Sequence, residues 1–267
     1  MKIYATYNIK GGVGKTSAAV NLAHLAARSG YSVLLWDLDP QGAATYLFRV
    51  RPKVKGGSRA LVEGTRSLDD VIKATDFDGL DLLPADFSYR NMDLQLDEMK
   101  RPTRRIHQLL KPFEGEYDVV FLDCPPSISL LSENVLHAVD TLLVPMIPAT
   151  LSVRTFDQLS SFVNDFDGRR PRVCAFFSMV DGRKRLHRDL VEQLPAERPG
   201  ILSTAIPALS IIEQMAEYRA PVTAFAPHSV ASKCYEALWH EVSSSSSSGV
   251  PKSPFGDILT GPSTQGR

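Results

Sequence analysis

The stretch from Asn8 to Ser17, "NIKGGVGKTS", decides the fold of this 267-residue chain. It follows an apolar segment, "KIYATYN" (2–8), and precedes a helical pattern, so it is a glycine-rich loop between a strand and a helix. Gly11, Gly12 and Gly14 let the backbone curl until successive N–H groups point at phosphate oxygens. The first turn of the following helix adds its positive dipole end. The pattern predicts a site for the phosphates of a nucleotide.

Two lysines flank the glycines of this loop. Lys15 is expected to reach the β- and γ-phosphates, and the Thr16 hydroxyl is expected to ligate Mg²⁺. The strict pattern G-x-x-x-x-G-K-[ST] requires a glycine where this chain has Ile9, and the glycine pair that follows supplies the flexibility instead. One lysine suffices for the phosphates of one nucleotide, so Lys10 either has a second role or is a solvated loop residue. The residues predicted to bind nucleotide in this loop are Lys10, Gly11, Gly12, Val13, Gly14, Lys15, Thr16 and Ser17.

The rest of the chain alternates β-rich runs with helical patterns. Because most of the runs are continuously apolar, they are typical of parallel strands covered on both faces. The predicted strands are 2–8, 31–37, 79–85, 117–123, 141–147 and 172–178, and the clearest helical patterns are 16–29, 152–166, 186–194 and 228–242. The fold class is therefore α/β, a doubly wound, mostly parallel sheet flanked by helices. Residues 1–242 are predicted to form one domain and residues 243–267 a flexible Ser/Gly/Pro-rich tail, in which a short partner-docking motif is conceivable around Phe255–Leu259.

The loop "KGGVGKTS" (10–17) resembles the deviant Walker A loop of the ParA/MinD family of P-loop ATPases, with ParA-type partition ATPases the nearest kind. Lys10 matches the signature lysine of that family, and the resemblance extends over about residues 1–242. It implies a P-loop fold, ATP and Mg²⁺ as cofactors, and a homodimer that sandwiches two ATP molecules. It also implies that Lys10 of each subunit contacts the phosphates bound by the other subunit. By the same resemblance, Lys10 and Lys15 are expected to be catalytic as well as ATP-binding.

Two further segments match motifs of the same family. In "LLWDLDPQGAAT" (34–45), Asp37 is expected to support Mg²⁺ through its water shell. Asp39 matches the switch aspartate that orients the attacking water, although Asp39-Pro40 taken alone would be read as a turn initiator. In "YDVVFLDCPPS" (117–127), Asp123 is expected to hold Mg²⁺ beside Thr16.

The base of the nucleotide is expected near Ser178–Asp181 and Ile206–Pro207, with Pro207 in contact with it, again by family resemblance. Cys124 is interpreted as a small buried residue and not as a nucleophile. The three cysteines form no CxxC pair, so neither a disulfide framework nor a clear metal site is indicated.

Basic residues are unevenly distributed although the formal net charge is zero. Segments 49–59, 100–111 and 169–188 hold 17 of the 30 Lys and Arg residues. ParA-type relatives bind DNA without sequence preference, so these basic segments are candidates for contact with DNA. The alternative is that they form an ordinary solvated surface. The candidate DNA-binding residues are Arg183, Lys184, Arg185, Arg188 and Arg219. The expectation of DNA binding is weakened because Ala208 and Ile211 stand where partition ATPases of this family have arginines.

The function predicted from these features is a ParA-like ATPase that dimerises with ATP, binds DNA and positions DNA or a protein cargo, stimulated by a ParB-like or adaptor protein. Without a signal peptide or an apolar run of membrane-spanning length, a cytoplasmic, nucleoid-associated protein is expected. One alternative is a MinD-like membrane-positioning ATPase, which the Ser/Gly/Pro-rich tail disfavours because it lacks an amphipathic pattern. Another is a metabolic ATP-dependent ligase of the same fold. Relatives with a bridging iron–sulfur cluster are excluded by the scattered cysteines.

Overall fold

A computed structural model describes residues 1–166 and 168–244 of the chain. Its centre is one eight-stranded sheet in the order β3-β4-β2-β5-β1-β6-β7-β8. Seven strands are parallel, and the short edge strand β3 is antiparallel to β4. The strands are β1 (Lys2–Thr6), β2 (Val33–Asp37), β3 (Lys73–Ala74), β4 (Leu80–Leu83), β5 (Val119–Asp123), β6 (Thr141–Met146), β7 (Arg172–Val180) and β8 (Ile201–Pro207).

Helices cover both faces of this sheet. The longer ones are α1 (Lys15–Arg28), α6 (Leu130–Ala138), α7 (Thr150–Asn164), α8 (Arg185–Glu197) and α12 (Val230–Ser243). The shorter ones are α2 (Ala43–Leu47), α3 (Gly57–Glu63), α4 (Met92–Asp97), α5 (Arg105–Leu110), α9 (Ser210–Glu213), α10 (Met215–Tyr218) and α11 (Val222–Phe225), with 3₁₀ turns at Phe87–Asn91 and Lys111–Phe113. The predicted doubly wound, mostly parallel sheet flanked by helices is confirmed.

The two sides of the sheet build two separate apolar cores. Successive residues of a strand point to opposite faces, so Tyr4 joins the core under α1 and α12, while Ile3 and Ala5 join the core under α4 to α8. Helix α1 is buried along most of its length, which places the phosphate loop at its start between the sheet and the outer helices. The helix ends at Arg28, and Gly30, just beyond the C-cap residue Ser29, has the left-handed φ of 91° that is typical of a glycine after a helix.

Strand β8 is one of the elements that the sequence analysis missed. Its apolar run is interrupted by Ser203 and Thr204, and it pairs with β7 alone. On the outer side, the Glu241 carboxylate of α12 accepts hydrogen bonds from the backbone N–H groups of both residues, at 2.8 and 3.0 Å. An edge strand needs such a cover because its outward N–H groups lack a ladder partner. Strand β8 is therefore specified by its contact with α12 and not by a local sequence pattern.

The boundary of the predicted tail differs by one residue from the structure. Ser243 is the last residue of α12, because the apolar side of that helix continues to the buried Val242. Residues 245–267, which include most of the predicted tail and the segment Phe255–Leu259, lie outside the described residues.

A buried histidine on α1 gives the fold a pH dependence. His24 is 8% exposed, its Nδ1 lies 2.8 Å from the Thr223 hydroxyl oxygen, and its ring meets Phe77 edge-on at 4.9 Å. Burial, assisted by the Arg28 guanidinium, lowers the pKa of His24 from 6.5 to about 4. Between these two pH values, His24 binds a proton in the unfolded chain but not in the folded chain.

The free energy of unfolding is therefore expected to fall as the pH is lowered from 6.5 toward about 4. A His24→Gln variant should show a shallower decline in urea denaturation at about pH 7 and about pH 5. Exposed His228→Gln is the matched control and should decline as the wild type does. Parallel declines of His24→Gln and wild type would contradict this account of His24.

Candidate nucleotide site

The phosphate loop is anchored to the sheet by Asn8, at the point where the chain leaves β1. The Asn8 side chain is buried; its Nδ2 donates to the Pro145 carbonyl at 2.8 Å, and its Oδ1 accepts from the Lys10 N–H at 2.9 Å. Gly12 and Gly14 then adopt φ values of 69° and 92°, which favour glycine. The sequence analysis missed Asn8. Its only local signal was a polar residue at the end of an apolar run.

Lys15 lies inside the curl of the loop and is 7% exposed. Its Nζ donates to the Lys10 carbonyl at 3.0 Å, so the loop itself holds the ammonium group in place. Burial lowers the pKa of Lys15, and the carboxylates of Asp123 and Asp39 act in the opposite direction. A positive charge that is desolvated and fixed in this way is prepared for an anion without reorganisation.

Three polar residues end the three central strands in one row. The register pairs Thr6 of β1 with Asp123 of β5, and Asp123 with Asp37 of β2. Asp123 is fully buried; its Oδ1 accepts from the Thr6 hydroxyl at 3.2 Å, and its Oδ2 has no hydrogen-bond partner. Burial and the neighbouring Asp37 raise the pKa of Asp123, while the hydroxyl of Thr16 lowers it.

The Asp123 Oδ2 atom, which has no hydrogen-bond partner, indicates that a divalent cation fits at this end of the sheet. A buried carboxylate oxygen without a partner is costly, and a hard cation with oxygen ligands removes that cost. The Thr16 hydroxyl beside it supplies a second oxygen of the right type. Mg²⁺, held by Thr16 and Asp123, would neutralise negative charge on the phosphates when bound.

A cavity of about 240 Å³ opens beside the phosphate loop. Gly12, Gly14 and Ser17 form one wall, and the ends of β7 and β8 form the other. The remaining lining residues are Ser178, Met179, Ile206, Pro207, Ala208, Leu209, Ile212, Glu213 and Tyr235. The structure thus brings Pro207 and Ser178 next to the loop, where the sequence analysis placed the base. Val13 is buried beneath the loop, with 1% of its surface exposed, and does not line this cavity.

A family model described as an AAA domain matches residues 1–172. A ParA family protein of Chlamydia muridarum is 30% identical over 91% of this chain and 97% of its own length. The sporulation initiation inhibitor protein Soj of Bacillus subtilis is 29% identical over 90% of this chain and 98% of its own. The chain belongs to the ParA/MinD family of P-loop ATPases.

Solved structures of similar fold carry nucleotides and magnesium. Cobyrinic acid a,c-diamide synthase of Mycobacterium smegmatis, with a bound ATP analogue and magnesium, aligns at a TM-score of 0.71 with 28% identity, over 82% of this chain and 91% of its own. A plasmid partition protein of Borrelia burgdorferi bound to AMPPNP aligns at 0.76 with 24% identity, over 88% and 95%. The cell division ATPase MinD of Pyrococcus furiosus aligns at 0.73 with 21% identity, over 90% and 98%. ATP and Mg²⁺ are the cofactors of this ParA/MinD-family site.

Asp37 holds in place the segment that follows β2, residues 38–45. Its Oδ2 accepts from the N–H and the hydroxyl of Thr45, at 2.8 and 2.7 Å, and its Oδ1 accepts from the Asp39 N–H at 3.2 Å. Burial raises the pKa of Asp37. These bonds fix where Asp39 and α2 lie, whereas support of Mg²⁺ by Asp37 through water stays a prediction. Asp39 itself is half-buried, and its Oδ1 accepts from the Gln41 N–H at 2.9 Å.

The segment after β5 approaches the loop from the other side. The Tyr7 hydroxyl donates to the Ser127 carbonyl at 2.8 Å, and a Cβ on Gly11 would lie 4.0 Å from Pro126. Cys124 is buried, and burial raises the pKa of its thiol, so the thiolate needed for nucleophilic chemistry is disfavoured. All three cysteines are free and buried.

None of the candidate DNA-binding residues lines the nucleotide cavity, and most are engaged within the chain. Arg183 pairs with both oxygens of Asp181, and Arg185 pairs with Asp189 at 3.4 Å. Arg188 donates to the Gly182 carbonyl at 2.7 Å. Lys184 occupies the N-cap position of α8, and its side chain makes no capping hydrogen bond there. Arg219 is separate from this group and lies over Tyr46 of α2.

The close approach of Gly14 to Ser178 gives a test of the loop geometry. A Cβ on Gly14 would lie 2.7 Å from the Ser178 Oγ, whereas a Cβ on Gly12 would meet no atom within 4 Å. Both residues have positive φ, so alanine strains the backbone at either position by about 1–2 kcal/mol. Gly14→Ala should weaken Mg²⁺-ATP binding by more than Gly12→Ala in calorimetric titration.

A double variant separates the two causes of that loss. Ser178→Gly removes the clash but not the strain, so Gly14→Ala/Ser178→Gly should bind ATP about as well as Gly12→Ala. Equal affinities for the two single alanine variants would show that the contact with Ser178 does not matter.

Proposed function

We propose that this ATPase works as a ParA-type positioning protein. ATP drives two copies together, the dimer binds DNA without sequence preference, and hydrolysis, accelerated by a ParB-like or adaptor partner, releases the subunits. The cargo is a DNA locus or a protein assembly in the cytoplasm. The observation that supports this proposal most directly is the way Lys10 is bonded within its own subunit.

The backbone of Lys10 is held on both sides while its side chain is left available. Asn8 accepts from its N–H, and Lys15 donates to its carbonyl. Within the parts of the chain that the structure describes, no acidic group lies within ion-pair distance of the Lys10 ammonium group. A cation fixed at the rim of a phosphate site and unused by its own chain fits the phosphates of a second subunit. Such a trans-acting cation accelerates GTP hydrolysis by about 10³–10⁵-fold in GTPases.

The other catalytic residues divide the work within one subunit. Lys15 neutralises charge on the phosphates from inside the loop, where its ammonium group is already placed. Asp39, held by the turn that Asp37 organises, positions the water that attacks the γ-phosphate. Phosphoryl transfer needs mainly this positioning and charge stabilisation.

Replacing Lys10 should separate dimerisation from nucleotide binding. In light scattering with Mg²⁺-ATP, Asp39→Ala should give a stable dimer, and Lys10→Ala/Asp39→Ala should remain monomeric. ATP affinity of the monomer should change by less than about twofold, because Lys15 still holds the phosphates. Exposed Lys233→Ala is the matched control. A Lys10→Ala/Asp39→Ala protein that still dimerises would overturn the role given to Lys10.

Intrachain ion pairs on the α8 segment do not prevent contact with DNA phosphates. The side chains of Arg183 and Arg185 are 91% and 87% exposed, and ion pairs at such exposure contribute about 0–1 kcal/mol. A DNA phosphate can therefore replace the carboxylate. Each phosphate neutralised adds about −0.9 to the slope of log K against log salt concentration.

Removing two of these cations should change the salt dependence of DNA binding. Arg183→Ala/Arg185→Ala, in the ATP-bound Asp39→Ala background, should reduce the magnitude of that slope by about 1.8. The measurement is fluorescence anisotropy with duplexes of unrelated sequence at several salt concentrations. Arg28→Ala, which breaks an exposed pair with Glu236, serves as the control and should leave the slope unchanged. Absence of any DNA binding at low salt would refute the positioning function.

A metabolic ligase is the second candidate, favoured by the 28% identity to the M. smegmatis diamide synthase. It predicts ATP hydrolysis that depends on a small carboxylic acid and an amine donor and not on DNA. A MinD-like membrane function predicts capture by anionic vesicles. Within residues 1–166 and 168–244, no helix is both long and apolar enough to cross a membrane.

A further inference from the structure

Two arginines form a reciprocal clasp between α2 and the segment after α10. Arg219 donates from Nε to the Tyr46 carbonyl at 3.1 Å, and its guanidinium carbon lies 4.5 Å from the centre of the Tyr46 ring. Arg49 donates from Nη2 to the Tyr218 carbonyl at 3.1 Å. Arg219 thus bonds the main chain three residues before Arg49, and Arg49 bonds the main chain one residue before Arg219, so the two contacts close a ring between the segments.

Both arginines adopt backbone conformations that are unfavourable for their residue type. Arg49 has a φ of 60° and Arg219 a φ of 48°. Among the described residues, only one other non-glycine has a positive φ, and that residue, Met179, lines the cavity beside the phosphate loop, where we propose that the base of ATP lies and which we call the base cavity. Left-handed residues other than glycine persist where their surroundings fix them, and they cluster at functional sites.

At one end, the clasp is connected through α2 to Asp39, the proposed switch aspartate. Helix α2 begins at Ala43, and the Gly42 N–H donates to the Asp39 carbonyl at 2.9 Å. Thr45 is bonded through its N–H and its hydroxyl to Asp37, which also accepts from the Asp39 N–H. A shift of α2 therefore moves the turn that carries Asp39.

The other end leads to the base cavity. Leu209, Ile212 and Glu213 line that cavity, and α10 begins two residues later and ends at Tyr218, directly before Arg219. Met215 of α10 is buried, and its sulfur accepts from Asn21 of α1 at 3.3 Å. The segment between the cavity and the clasp is short and is fixed to α1 through Met215, so a base in the cavity constrains where Arg219 lies.

We propose that Arg49 and Arg219 are positioning residues that couple occupation of the base cavity to the placement of Asp39. The clasp makes hydrolysis respond to the base of ATP and not only to its phosphates. This inference rests on the role of Asp39 in the proposed function. It also gives Arg219 a function within the subunit, in place of the contact with DNA that its charge suggested.

Amide hydrogen exchange tests the coupling at the level of binding. Mg²⁺-ATP is compared with Mg²⁺-tripolyphosphate, which has the phosphates but no base. In the wild type, ATP should slow exchange in residues 39–50 more than tripolyphosphate does. In Arg219→Gly and Arg49→Ala that difference should disappear, while protection of the phosphate loop, residues 11–16, persists. Arg219→Gly keeps a residue suited to φ 48°, so loss of the clasp is not confounded by added strain.

Steady-state hydrolysis gives the functional readout. Arg219→Gly and Arg49→Ala should lower kcat for ATP by about three- to tenfold, with the dissociation constant for ATP changed by less than about twofold. Arg219→Lys should recover part of the loss, because an ammonium group can still donate to the Tyr46 carbonyl. Arg28→Ala, a substitution of an exposed arginine outside the clasp, should behave as the wild type.

The outcomes separate this inference from the proposal on which it rests. Unchanged kcat in both clasp variants, or no base-dependent protection of residues 39–50 in the wild type, would overturn the coupling. Undiminished hydrolysis by Asp39→Ala would instead overturn the role of Asp39, whatever the clasp variants show.

Discussion

A buried carboxylate without a partner is the constraint on which the rest of this structure depends. Asp123 lies at the end of the central strand β5, with no exposed surface and one oxygen unbonded. Such a group is costly unless a cation meets it. The flanking strands end in Thr6 and Asp37 at the same register, so the parallel sheet concentrates polar side chains at one edge. The phosphate loop begins directly after β1 at that edge, so the residues proposed to hold metal and phosphate and to act as the switch lie at one end of the sheet.

The two lysines of the loop differ in burial and bonding, which is the basis for proposing different roles for them. Lys15 is buried and bonded to the main chain, so its charge serves the nucleotide of its own subunit. Lys10 contributes its carbonyl to that arrangement, which fixes the backbone from which its side chain departs. The same hydrogen bond therefore organises both the charge that acts in cis and the one proposed to act in trans.

The sequence was informative wherever a local pattern has one physical meaning. Continuous apolar runs predicted the central strands, and glycines before a Lys-Thr pair predicted the phosphate loop. It was uninformative where a residue acts through distant partners. Strand β8 depends on Glu241 of α12 for its outer amides, and Asn8 is tied to the sheet through the distant Pro145 carbonyl. Arg49 and Arg219 are 170 positions apart in the chain and meet only in the fold.

The sequence by itself determined the family, the doubly wound sheet and the cofactors ATP and Mg²⁺, because these follow from short segments with strict stereochemical demands. Only the tertiary structure decided which of the charged residues are already occupied. It pairs Arg183 with Asp181, assigns Asp37 to Thr45, places Arg219 on Tyr46 and leaves the oxygen of Asp123 bare. The physical reason is that a charge acquires its role from its neighbours, and in this fold those neighbours come from other strands and helices.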